Sequence, residues 1–158
     1  MESVEYSRWK IECDRDATRA AYALVPAGTP ERCGCLHCRN FAAARTQVYG
    51  QPMLAIFDRL GIDREREAEV YHNARLAPGL HSYGGWFHFV GILVSGADSR
   101  RPIRDDLWTR DLQSATPRLS VGFTAGVQLV PASFKGLQLV QFEFTAEVPW
   151  VLHDPEPE

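Results

Sequence analysis

Three of the four cysteines lie within six positions of one another, in the segment ERCGCLHCRNF at residues 31–41. Cys35 and Cys38 are separated by two residues, the spacing at which one loop can present two thiolates to a tetrahedral metal ion. Cys33 precedes Cys35 by a single glycine, and Gly34 allows the sharp backbone bend that a third ligand requires. The segment therefore predicts a structural zinc site with Cys33, Cys35 and Cys38 as ligands.

A closed zinc site needs a fourth ligand, which the sequence leaves open. Cys13 is chemically favoured, but it alternates with Trp9 and Ile11 along a predicted strand, a pattern that points its side chain into the core. His37 is a further candidate, although its adjacency to Cys38 makes coordination of the same ion difficult. The remaining candidates are the strand histidines His72, His81 and His88.

The same thiols support a second interpretation, a thiol–disulfide oxidoreductase that uses Cys35 and Cys38. A C-x-x-C pair at a helix N-terminus has a lowered thiol pKa, because exposed amide groups and the helix dipole stabilise the thiolate. The CLHC sequence opens a predicted helix and fits that arrangement. A third interpretation is that the cysteines are reduced and inert. We favour the metal site, and at this point all three interpretations stay open.

Histidines and aromatic residues are concentrated at positions 71–88. His81 and His88 should face opposite sides of a strand unless Gly84 and Gly85 form a bulge. His88 stands between two phenylalanines, which is typical of a core histidine with one hydrogen bond. We therefore expect these histidines to be structural, and the alternative is a histidine and aromatic surface that holds a small molecule or a catalytic metal.

The sequence has none of the common phosphate-binding or hydrolase motifs, such as G-x-x-x-x-G-K-[ST], H-E-x-x-H or G-x-S-x-G. Its carboxylates are scattered, and no spacing identifies an acid–base pair. We therefore favour a binding or interaction module over an enzyme. A small-molecule pocket beneath residues 97–117 is a further alternative.

Charge and hydropathy restrict the class of partner. The formal net charge is −3, and the arginines of residues 100–110 are interleaved with aspartates, so we expect no nucleic-acid binding. No apolar run approaches the roughly 18 residues of a membrane span. The first residues carry charge where a signal peptide needs an apolar core, so we expect a reducing cytoplasm. The expected partner is a protein or small molecule that the sequence does not identify.

The predicted helices and strands around these residues form an α+β pattern. We predict helices at residues 38–49 and 52–60, and strands at residues 3–13, 67–76, 80–96, 119–129 and 137–148. Residues 16–25 fit the period of a helix or of a strand, and their alanine-rich composition favours the helix. In the last strand Phe142 and Phe144 alternate with Gln141 and Glu143, which predicts one buried and one solvated face. Residues 97–117 should be a surface loop with a short helical turn.

These elements predict a single α+β domain over residues 1–152, followed by a flexible acidic tail at residues 153–158. Its architecture should be an antiparallel sheet of about five strands, with two or three N-terminal helices packed on one face.

Two motifs resemble those of a small uncharacterised bacterial protein family. They are CGCLHCRNF at residues 33–41 and YGGWFHFVG at residues 83–91. In that family a C-G-C-x-x-C-x-N-[FY] segment precedes a G-G-W-x-H-F strand. The similarity covers roughly residues 31–95. Because no activity is established for the family, the resemblance implies no function.

Overall fold

The helices come early in the chain, and strands dominate the remainder. The computed structural model describes residues 1–158. A first hairpin consists of β1 (Glu2–Tyr6) and β2 (Trp9–Cys13). The helices are α1 (Arg15–Tyr22), α2 (Thr29–Cys33), α3 (Leu36–Ala44) and α4 (Gln51–Leu60). The later strands are β3 (Glu69–Ala77), β4 (Leu80–Ser95), β5 (Arg100–Arg104), β6 (Leu107–Arg110), β7 (Gln113–Thr116), β8 (Leu119–Thr124) and β9 (Leu139–Pro149). The predicted α+β class is confirmed, and none of the helices is long and apolar enough to cross a membrane.

The main sheet is antiparallel and has seven strands in the order β1-β2-β4-β9-β8-β7, with β3 also paired to β4. The predicted number of about five strands is wrong for two reasons. Residues 3–13 form a hairpin rather than one strand, because the backbone reverses at Ser7, which has a φ of 52°. Residues 97–117 contribute the separate β5–β6 hairpin and β7 in place of the expected helical turn.

Strand β4 is the central strand of the sheet, as predicted. One edge pairs with β9, and the other pairs first with β3 and then with β2. Helix α1 covers the gap between those two partners. There the Tyr22 hydroxyl donates to the His88 carbonyl at 2.7 Å, and the Val90 N–H donates to Thr18 Oγ1 at 2.9 Å. These bonds satisfy backbone groups that no strand reaches.

Helices α3 and α4 pack on one face of the sheet, where aromatic rings fill the core. The ring centroid of Phe57 lies 5.0 Å from those of both Phe87 and Phe142, in edge-to-face geometry. Phe41 on α3 lies 5.4 Å from Tyr83 on β4. The even positions of β9 that the alternation assigned to the core are buried. This packing fixes α3, and with it the cysteine segment, against the sheet.

The opposite face of β9 is not fully solvated, so that prediction is wrong for Gln141 and Glu143, which are 0% and 4% exposed. Strand β8 ends at Thr124 rather than continuing to residue 129, and the following segment folds back over this face. Its Gln128 N–H donates to Gln141 Oε1 at 2.8 Å. His88 is buried and lies 3.0 Å from the same oxygen, which confirms a core histidine with one hydrogen bond.

The acidic tail has no regular secondary structure, but two of its carboxylates contact the domain. Asp154 lies 3.4 Å from the Arg39 guanidinium, and Glu156 lies 3.2 Å from that of Arg75. The sequence did not predict these contacts. Flexibility of residues 153–158 and the single-domain boundary stay predictions.

Candidate metal centre

The cysteine segment is a junction between two short helices. Helix α2 ends at Cys33, and Gly34 follows in the left-handed conformation with a φ of 68°. The Gly34 N–H donates to the Pro30 carbonyl at 3.1 Å and closes the helix. Cys35 is then the N-cap of α3. Because a side chain at Gly34 would be strained at this φ, glycine provides the turn that places Cys33 beside Cys35.

The three predicted sulfur ligands lie together. The Sγ atoms of Cys33, Cys35 and Cys38 are all within 4.8 Å of one another. Zinc–sulfur bonds of about 2.3 Å in a tetrahedron place sulfurs about 3.8 Å apart, so closing around an ion requires no sulfur–sulfur distance to shrink by more than about 1 Å. Cys33 and Cys35 are exposed, whereas Cys38 is buried. The group can therefore hold a metal ion with one side toward the core and one toward solvent.

The thiols differ in acidity. The Cys38 backbone N–H donates to Cys35 Sγ at 3.5 Å, and this bond lowers the pKa of the Cys35 thiol. Burial raises the pKa of the Cys38 thiol, and the adjacent thiols of Cys35 and Cys33 raise it further. Cys35 is thus the first of the pair to become a thiolate. A cation at the cluster would favour the thiolate form of every ligand.

Hydrogen bonds of Asn40 and of the His37 carbonyl hold helix α3 to the sheet. The Asn40 side chain, fully buried, donates to the Pro149 carbonyl at 3.1 Å and accepts from the Val151 N–H at 2.8 Å. The Tyr83 hydroxyl donates to the His37 carbonyl at 2.8 Å. These bonds position the first turn of α3, where Cys38 lies.

A buried ion pair between Arg45 and Glu67 joins helices α2 and α3 to the segment before β3. Glu67 is 1% exposed and accepts from the Arg45 guanidinium at 2.8 Å and from the Tyr49 hydroxyl at 2.8 Å. Arg45 also bonds Glu31 on α2. Burial raises the pKa of Glu67, which Arg45 opposes. Sequence reasoning missed this network, since its members are far apart along the chain and match no motif.

The two other predicted ligands lie outside the sulfur group. Cys13 is fully buried on β2, where its thiol lies 3.6 Å from the Arg59 carbonyl and burial raises its pKa. This is the core position that its alternation predicted. His37 instead groups with His72 and His81. Burial lowers the pKa of both His37 and His72, so these rings are neutral near pH 7.

No family model matches the chain, and no curated protein or solved structure matches it. The resemblance based on the two motifs therefore stays a prediction.

A separate cleft of about 270 Å³ lies beneath the β5–β6 hairpin, in the region where a small-molecule pocket was an alternative. Tyr71, Trp86 and Trp108 supply its aromatic walls. Glu143 Oε2 is buried without a hydrogen-bond partner and lies 4.0 Å from the Arg110 guanidinium. The cleft offers ring faces and charges of both signs. It contains neither a cysteine nor a histidine.

Proposed function

We propose that this protein is a zinc-binding module in which Cys33, Cys35 and Cys38 hold one ion. The observation that carries the proposal is the approach of three sulfurs to within 4.8 Å around the Gly34 turn. The ion has a structural role, because it joins the end of α2 to the start of α3 across a junction of a single glycine.

The third thiol favours metal binding over the alternatives. A dithiol enzyme needs only two cysteines, whereas Cys33 adds a third sulfur to the same group. Soft thiolate ligands in a tetrahedral arrangement select zinc over the harder divalent ions. Because the thiols must stay reduced to bind it, the proposal places the protein in a reducing compartment such as the cytoplasm.

The fourth coordination position is the basis for a binding role. The group that contains Cys33 and Cys35 includes no fourth side chain, and both residues are exposed. Water or a donor atom of a partner protein or small molecule completes the tetrahedron. We expect the module to act through such contacts rather than through catalysis by its own side chains.

Anaerobic metal analysis of the untagged protein, with matched cysteine variants, tests the proposal. We expect Cys35→Ser to lose about one zinc ion per chain, because a hydroxyl is a poor replacement for a thiolate. Cys13→Ala is the control, since this buried cysteine lies outside the group and its loss should leave the zinc content unchanged. Equal zinc content in the wild type and Cys35→Ser would contradict the proposal.

A thiol–disulfide oxidoreductase is the second candidate, favoured by one observation. Exposed Cys35 has a lowered pKa and stands at the N-terminus of α3 beside buried Cys38. In that reaction the Cys35 thiolate attacks a substrate disulfide, and one substrate sulfur leaves as a thiolate. Cys38 then attacks Cys35 and releases the second, so the substrate is reduced as the protein forms a disulfide. Metal-free protein that cycles between the dithiol and the Cys35–Cys38 disulfide would support this candidate.

A further inference from the structure

Three histidines from separate elements meet near the sulfur group. His37 lies in the first turn of α3, His72 on β3 and His81 on β4. One ring nitrogen of each lies within 4.8 Å of those of the other two. His72 pairs with Tyr83, whose face of the sheet also carries His81. We propose that these histidines form a second metal site, separate from the thiols, for a divalent transition ion such as Zn²⁺, Co²⁺ or Ni²⁺.

A carboxylate fixes the orientation of the buried histidine. His81 is 0% exposed, and its Nε2 lies 2.7 Å from Glu156 Oε1. An ionised carboxylate only accepts, so His81 directs its Nε2 proton at Glu156, and in that tautomer of the neutral ring Nδ1 presents its lone pair. Metal-binding histidines commonly donate their second N–H to a carboxylate in this way. The Gly79 N–H, at 2.8 Å, and Arg75 hold Glu156 in place.

The lone pair of His81 Nδ1 points toward the other histidines. His81 Nδ1 lies 2.8 Å from His72 Nε2, and in this tautomer it accepts a hydrogen bond from that nitrogen. Two imidazole nitrogens bound to one tetrahedral ion at about 2.0–2.1 Å are about 3.3 Å apart. An ion therefore fits between His72 and His81 once these two nitrogens move apart by about 0.5 Å. His72 must then transfer its proton from Nε2 to Nδ1, and both rings bind as neutral ligands.

The third ring supplies a nitrogen without a partner. His37 Nδ1 is buried and has no hydrogen bond, a state that costs free energy unless a ligand satisfies it. The ring lies over His72 with centroids 3.8 Å apart and planes 12° from parallel. Because stacked rings cannot direct their lone pairs at one point, His37 turns toward the ion on binding. The His37 side chain is only partly buried.

The donor set determines the class of ion. Three imidazoles suit zinc, cobalt, nickel or copper, whereas magnesium and calcium prefer oxygen ligands. The ion has three nitrogen ligands, and water completes its shell. Since the thiol ligands are Cys33, Cys35 and Cys38, no side chain is shared between the sites, although His37 lies between two of those cysteines. The two sites therefore differ in their spectra, which allows each to be followed in the presence of the other.

Titration of the reduced metal-free protein with Co²⁺ tests this site. Cobalt bound to thiolates gives an intense sulfur-to-metal charge-transfer band, whereas cobalt bound to imidazoles shows only the weak visible bands. We expect two equivalents to bind, one with and one without charge transfer. His72→Ala should abolish binding of the equivalent without charge transfer and retain the one with it. Cys35→Ser should weaken mainly the equivalent that shows charge transfer. Glu156→Gln should lower affinity for the equivalent without charge transfer by about 10- to 100-fold.

His153→Ala is the matched control, because this histidine is exposed and lies outside the group. It should leave both equivalents unchanged. Circular dichroism of His72→Ala checks that the fold is retained, and His72 is only partly buried, so folding should survive. Binding of one equivalent that His72→Ala and Glu156→Gln do not affect would overturn the second site and leave the thiol site standing. A wild-type protein that shows the weak visible bands without the charge-transfer band would overturn the thiol site and leave the histidine site standing.

Discussion

The Cys38 backbone N–H donates a hydrogen bond to Cys35 Sγ at 3.5 Å. Cys35 thus takes the N-cap position of α3, where serine or aspartate is more usual, and its sulfur accepts one of the helix's free amide groups. The same bond that begins the helix lowers the pKa of the thiol. Local structure and the chemistry of the site are therefore joined at this residue.

Thiol reactivity in the metal-free protein should follow this difference in pKa. We expect iodoacetamide to modify Cys35 well before Cys38, because Cys35 is exposed with a lowered pKa and Cys38 is buried with a raised one. Peptide mass analysis at several pH values measures the order. Added zinc should slow modification of both thiols. Modification of Cys38 before Cys35 would contradict the assigned acidities.

Zinc removal should loosen the cysteine segment without unfolding the sheet. In the proposed zinc-binding module the ion holds the junction at residues 26–41, whereas β4 and β9 have their own aromatic core. We expect a chelator to increase hydrogen exchange around residues 33–41 and to leave residues 86–91 and 139–148 protected. Mass-spectrometric exchange measures this, with Cys35→Ser as a chelator-independent comparison. Uniform exchange throughout the chain would show that the ion supports the whole fold.

Removal of Arg45 should be costly, because it leaves Glu67 buried without its partner. We expect Arg45→Met to lower the free energy of unfolding by about 3–5 kcal/mol. Arg39→Met is the matched control. Its ion pair with Asp154 is half-exposed, so it should cost less than about 1 kcal/mol. Denaturant unfolding of both variants measures the difference, and equal costs would contradict a structural role for the Glu67 pair.

His88 should give the protein a measurable pH dependence. Burial lowers the pKa of His88 from 6.5 to about 4. Between these values the unfolded chain binds a proton that the folded chain excludes, so stability falls as the pH drops through this window. We expect His88→Gln to lower the free energy of unfolding by about 1–3 kcal/mol at pH 7. Acidification should then lower the free energy of unfolding less in this variant than in the wild type. Parallel curves of unfolding free energy against pH would refute this assignment.

Patterns local in sequence predicted much of the fold and the sulfur group. The alternation that placed Phe142 and Phe144 in the core depends only on the two-residue period of a strand. Cys33, Cys35 and Cys38 lie within six positions, so a single glycine turn brings them together. Such features need no knowledge of distant contacts.

Features that depend on tertiary packing were not predictable in this way. Gln141 and Glu143 have the alternation of a solvated face, yet the segment around Gln128 covers them. The meeting of His72 with His81 depends on the β3–β4 register, which shifts after His72. Neither the spacing nor the composition of the sequence contains that register.

Zinc-edge X-ray absorption of the zinc-loaded His72→Ala variant identifies the ligands of the proposed sulfur site, because this variant lacks a ligand of the proposed histidine site. We predict a shell of three sulfurs at about 2.3 Å with one lighter ligand at a shorter distance. Cys13→Ala in the same background should give an identical shell, since its sulfur is not a ligand. A shell of nitrogen and oxygen alone, or a protein that binds no zinc and forms a Cys35–Cys38 disulfide under mild oxidation, would contradict the proposed zinc-binding module.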